Sequence, residues 1–205
     1  MTTRETNWQP NLLAPESTLW LPVGGDRPLT KDEARQSAVE ILGTDAAPKR
    51  LREFARIILE ETNNARDASV MKAALLFFPD RNRLPPVATL NLHAYYPSDP
   101  ENPTTLEFYR EAFGKPDEDT IGEIEVTAVD LPVGPALRFH KRWKEKAGWK
   151  PSYLHESVTY AVRPRQIPDA VVIRLIWQEL AMSSALIKAA DGIARTLEIE
   201  LLDEG

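Results

Sequence analysis

The spacing of apolar and polar positions changes several times along the chain, and each change marks a predicted element. Leu19, Leu21 and Val23 alternate with Thr18, Trp20 and Pro22, which predicts a short strand over 17–23. Pro22 has no N–H to give a ladder, so this strand is expected at a sheet edge. Gly24-Gly25-Asp26 predicts a turn. Thr30 and Glu33 have the spacing of a capping box and open a helix over 31–42 that stops at Gly43. Pro48 opens a second helix, over 48–66. There Leu51, Phe54, Ala55, Ile58 and Thr62 share one face, with Arg50, Arg52, Glu53, Arg56 and Glu60 mostly elsewhere. Such a helix is expected to cover a flat apolar surface.

The period then becomes that of strands. Residues 70–78 are almost wholly apolar, which suits a central strand. Over 87–96, Ala88, Leu90, Leu92, Ala94 and Tyr96 form the expected buried face, and the short polar link at 79–86 predicts an antiparallel hairpin. After a loop at 97–103, Thr104 or Thr105 is expected to cap a short helix to Phe113, closed by Gly114 and Pro116. Strands are expected over 121–131, 135–145, 153–163 and 170–178, joined by short links and therefore antiparallel. Ser183 or Ser184 is expected to cap a last helix over 184–197, with Leu186, Ala190, Ile193, Ala194 and Leu197 as its apolar stripe. Strands in consecutive groups predict an α+β domain, an antiparallel sheet of about six to seven strands covered by helices. Residues 1–16 read as an extended N-terminal arm, and 17–205 as a single α+β domain.

Composition narrows the functional classes. At 205 residues the chain buries roughly 70% of its unfolded surface and needs no disulfide or metal staple. It has no cysteine, which excludes disulfides, thiolate metal sites and cysteine nucleophiles. The first eight residues contain no apolar h-region, and no apolar run reaches membrane-spanning length. A cytoplasmic protein without membrane insertion is expected. The net charge of −6 argues against broad nucleic-acid binding.

Candidate chemistry is sparse. His140 and His155 fall in neighbouring strands beside Glu156 and could form a metal or acid–base site, but none of the usual histidine spacings is present, which favours strand-surface positions. Gly24-Gly25 lacks phosphate-loop and dinucleotide spacing, and no GxSxG elbow occurs. Asp117-Glu118-Asp119 lacks the glycine and glutamate of a calcium loop and reads as solvated, while Glu123 and Glu125 read as the wet side of a half-buried strand. No catalytic residue, cofactor or metal is expected.

One segment reverses the sign of the chain. Between 138 and 150 lie Arg138, Lys141, Arg142, Lys144, Lys146 and Lys150 against the single acid Glu145, with Trp143 and Trp149 interleaved. Basic residues beside aromatics can anchor a protein partner or hold phosphates and bases. They also suit a hairpin whose lysines protect an edge and whose tryptophans pack on lysine stems. Arg138, Lys141, Arg142, Trp143, Lys144, Lys146 and Trp149 are the candidate partner-binding residues.

Two motifs carry a resemblance. Leu131-Pro132-Val133-Gly134-Pro135-Ala136-Leu137-Arg138 joins two strands, and Ala190-Asp191-Gly192-Ile193-Ala194-Arg195-Thr196-Leu197 lies on the last helix. This layout resembles small actinobacterial proteins with the Mog1/PsbP-like α/β/α sandwich, in which such a turn and such a terminal helix recur. Ala190 stands where a phenylalanine is usual. The resemblance spans residues 17–200 and implies a non-enzymatic adaptor whose partner is another protein. Two alternatives remain open. One is a structural component of a larger bacterial assembly or secretion apparatus, with the 1–16 arm docking through Trp8. The other is a ligand-binding protein or enzyme using a pocket between sheet and helix.

Overall fold

The computed structural model describes residues 8–13, 20–23, 29–67, 71–77, 86–95, 105–145 and 152–202, with 20–23, 61–67 and 71–76 described in backbone alone. The turn at Gly24-Gly25-Asp26, the loop at 97–103, most of the link at 79–86, and Lys146, Trp149 and Lys150 lie outside these residues. In chain order the elements are β1 (Trp8–Asn11), β2 (Trp20–Val23), α1 (Lys31–Leu42), α2 (Pro48–Asp67), β3 (Met71–Phe77), β4 (Ala88–Tyr95), α3 (Leu106–Phe113), β5 (Glu125–Leu131), β6 (Gly134–Glu145), β7 (Tyr153–Val162), β8 (Ala170–Trp177), α4 (Ser183–Arg195) and β9 (Glu198–Leu201).

Seven strands form one antiparallel sheet in the order β2-β3-β4-β8-β7-β6-β5. The β5–β8 meander returns its last strand to β4, so β8 lies at the centre. β2, with Pro22, takes one edge, where a missing donor is tolerated. β5 begins at Glu125 rather than 121, because the chain turns at Gly122 with φ 73°. In α1 the capping box forms as its spacing predicts, from Thr30 and Glu33.

The two sheet faces are covered differently. Ala88, Leu90, Leu92 and Ala94 of β4 point the same way as Val158, Tyr160 and Val162 of β7 and Val171, Ile173, Leu175 and Trp177 of β8. Leu186, Ala190, Ile193 and Ala194 of α4 pack on this surface and complete the main core. The sequence motifs now acquire a physical reason. Gly134 passes so close to Arg163 that a Cβ there would lie 2.2 Å from its carbonyl oxygen. Arg138 Nε donates to Asp191 Oδ1 at 3.0 Å, and the Tyr160 hydroxyl donates to the same oxygen. The motif arginine and the motif aspartate thus fasten α4 to the sheet.

At the chain ends, β1 pairs with β9 as a two-stranded ribbon. Trp8 is buried in the main core and donates from Nε1 to Asp169 at 2.8 Å, so within the expected arm residues Trp8–Asn11 dock on their own domain. Ser183 is the first residue of α4 and its cap is Met182, without a side-chain bond. The Ser183 hydroxyl turns instead to Glu156.

The opposite face carries α3 at one end and the α1–α2 hairpin at the other. Tyr109 of α3 is buried against Leu137, Phe139, Ala161, Ala170 and Val172. The apolar stripe of α2 does not lie flat on the sheet as expected. Among the described residues, Phe54 and Ile58 pack with Ala34 and Ala38 of α1 in a separate cluster that also holds Leu51 and Ala55. α1 takes up the stripe, and the mixed flank of α2 is left to face the strands.

Candidate functional site

The basic–aromatic segment is dispersed by strand alternation. Successive residues of β6 point to opposite faces, so Arg138 and Arg142 stand on the α4 side, and Lys141 and Trp143 on the other. Four of the described members are engaged within the chain. Arg138 pairs with Asp191, Lys141 Nζ lies 2.6 Å from Asp117, and Arg142 lies 2.9 Å from Glu156. Trp143 stacks on His155, with ring centroids 5.0 Å apart and planes 13° apart. Lys144 is exposed, and its backbone N–H donates to the Asp119 carbonyl.

His140 and His155 also part company, because Val158 pairs with one and Trp143 with the other. Neither is a simple surface residue. His140 Nε2 lies 2.6 Å from Glu156, and His155, only 8% exposed, lies 2.7 Å from Glu145. No group of three or more potential metal ligands occurs among the described residues. Glu156 is fully buried and receives bonds from His140, Arg142, Trp177 Nε1 and Ser183. Burial pushes its carboxyl up, but those hydrogen bonds outweigh burial and hold it below the ordinary value. The serine donates to a carboxylate rather than to a histidine, so nothing here activates it as a nucleophile.

A groove of about 920 Å³ opens between α2 and the sheet. Glu53, Arg56, Ile57 and Glu60 form its helical wall; Thr89 and Asn91 of β4, Ile176 of β8 and His155 of β7 form its floor. Arg56 and Glu60 pair with each other at 2.6 Å. The groove exists because α1 occupies the greasy side of α2, which leaves a polar flank that cannot close tightly on a polar floor.

Next to this floor stands Arg174, in mid-β8. Its cross-strand neighbours are Asn91 in β4 and Thr159 in β7. Its guanidinium carbon lies 5.4 Å from the centre of the Trp143 ring. Its Nε–H is buried without a hydrogen-bond partner, as is Nδ1 of His93 on the adjoining strand. Burial pulls the Arg174 guanidinium below its ordinary value, with Tyr95 opposing. Burial and then the Arg174 charge lower His93.

Sequence reasoning passed over Arg174. A single arginine between Ile173 and Leu175 reads as the wet side of a strand. The signal was that β8 is central, where both faces are expected to be covered, and only pairing between distant strands establishes that.

No family model matches the chain, and no curated protein is detectably similar to it. Among solved structures it is similar to LpqN, described as involved in cell envelope biogenesis of Mycobacterium tuberculosis. The TM-score is 0.50 at 11% identity, over 96% of this chain and 87% of that one. This likeness is one of fold. No helix among the described residues is long and apolar enough to cross a membrane.

Proposed function

We propose that the chain is a non-catalytic binding domain, with a Mog1/PsbP-like sandwich, that receives a small-molecule ligand in the groove between α2 and the sheet. The observation that carries this reading is the groove itself, an opening of about 920 Å³ whose floor is polar although it lies on the central strands of the sheet. Ligand sites of this kind combine apolar walls with a few placed polar groups. Ile57 and Ile176 supply the first, and Asn91, Thr89 and His155 the second. The non-catalytic part of the reading is supported by chemistry: among the described residues, the grouping of Ser183, Glu156 and His140 is engaged in holding α4.

A thermal-shift screen of a small-molecule library on the wild type and on Ile176→Trp tests the reading. Compounds that raise Tm in the wild type and lose that effect when the indole fills the groove support it. No stabilising compound, or compounds indifferent to the indole, would overturn it. A second reading, a component of a larger bacterial assembly, is favoured by the likeness to a protein involved in cell envelope biogenesis. There a neighbouring subunit would be the partner, and the basic positions of β6 that face solvent, Arg142 and Lys144, would be its contacts.

A further inference from the structure

We propose that the inner end of the groove is a seat for a small organic anion, a carboxylate or a phosphate, with Arg174 as its principal contact. The inference deepens the binding-domain reading and rests on it. Arg174 is not itself a lining residue of the groove; it adjoins it through Asn91, which lies on the groove floor and pairs across the strands with Arg174.

The case begins with pairing. Arg138, Lys141 and Arg142 of β6, and Arg165 in the link after β7, each reach a carboxylate. Arg174 reaches none among the described residues, although it is more enclosed than the exposed Arg165. A half-buried cation whose Nε–H is buried without a partner is costly in a folded protein, so its retention at the centre of a sheet calls for a reason. An anion from solution supplies one. The planar guanidinium offers parallel N–H donors that match a carboxylate or a phosphate in two-point contact.

The surroundings suit that role. Stacking of Trp143 on His155 steadies the indole, and the indole carries the guanidinium, so the donor is held before any ligand arrives. Directly across the strands, Asn91 and Thr159 add an amide and a hydroxyl on the same face. His93 adds a ring nitrogen without a partner. Of the acids near this face, Glu145 is paired with His155 and Asp117 with Lys141. Glu53 and Glu60 stand on the α2 wall, and Glu179 near the far end. Arg56 on the same wall offsets Glu60, so Glu53 and Glu179 are the acids that disfavour an anion away from Arg174.

The test uses the full chain labelled with 15N, titrated with inorganic phosphate and separately with benzoate, against sodium chloride at matched ionic strength. The Arg174 Nε–H resonance and the backbone amides of Asn91 and Thr159, which also report in Arg174→Met, are expected to shift and saturate with at least one probe, and the stronger probe identifies the class. Arg174→Met retains an apolar stem against Trp143 and removes the charge; its Kd for that probe should rise about tenfold or more. Saturation unchanged in Arg174→Met, or no saturable shift with either probe, would overturn the proposal. Compounds from the thermal-shift screen separate the two readings. If uncharged compounds still bind the groove while neither anion does, the anion seat fails alone. If nothing binds, both fail.

Discussion

The two faces of the central sheet solve the same problem in opposite ways. On the α4 face, the enclosed strand charges Glu156 and Arg138 are matched. Glu156 collects four donors, and Arg138 meets Asp191. On the α2 face, Arg174 and His93 keep buried nitrogens without partners, and the helix above them stands off across a groove. The first face is closed by an amphipathic helix whose stripe lies wholly on the sheet. The second is covered by a helix whose stripe is already taken by α1. The difference teaches that polarity within a sheet can serve either fastening or reception, and that the fate of the covering helix decides which.

The comparison can be broken most sharply at Glu156. Replacing it by alanine strands Arg142, His140, Ser183 and Trp177 around an empty acceptor site, and should lower stability by about 3–5 kcal/mol in urea unfolding. A loss below about 1 kcal/mol would mean that the network does not fasten α4. Ile193, fully buried on the sheet side of α4, gives a comparable break. Ile193→Asp buries an unpaired carboxylate and should cost roughly 3 kcal/mol or more by thermal melting. A wild-type Tm would show that the helix presents a different side to the sheet.

Acid titration separates the faces by window. His93 has a folded value below its ordinary value of 6.5, so the unfolded chain binds that proton more readily. Its contribution to stability is therefore complete above 6.5 and is lost as pH falls below it. Glu156 is likewise held below its ordinary value of 4.5, and its contribution is lost only as pH falls past 4.5. Among the described residues, Arg174 and Tyr95 are the charged and titratable groups near His93. His93→Gln should flatten the upper window of a stability–pH profile and leave the lower one unchanged. A profile in which His93→Gln alters the lower window instead would contradict the assignment.

Much of the architecture was legible because local signals agree with the tertiary result. The capping box of α1, the alternation of β4 and the proline of β2 each state a boundary or a face in a few residues. β9 was missed since its four residues alternate two glutamates with apolar residues and stay largely exposed, which reads as a polar tail. The site was less legible. Trp143 and the lysines beside it stand out in sequence, yet the register of β6 and β7 sends neighbours to opposite faces and pairs most of them internally. Ser183 reads as a cap because the chain does not disclose that Glu156, 27 residues earlier, comes to lie beneath it. Arg174 gains its meaning only from β4 and β7, strands far from it in the chain.

The central claim is that one sheet arginine fastens the fold and the other waits for a ligand. Its most direct test is the unfolding free energy of Arg138→Met beside that of Arg174→Met, measured in urea without added anions. The first variant leaves Asp191 and Tyr160 without their cation and should lose about 1–3 kcal/mol. The second removes a half-buried charge that has no ion pair among the described residues and should leave stability unchanged or raise it. Equal losses in the two variants would contradict the account.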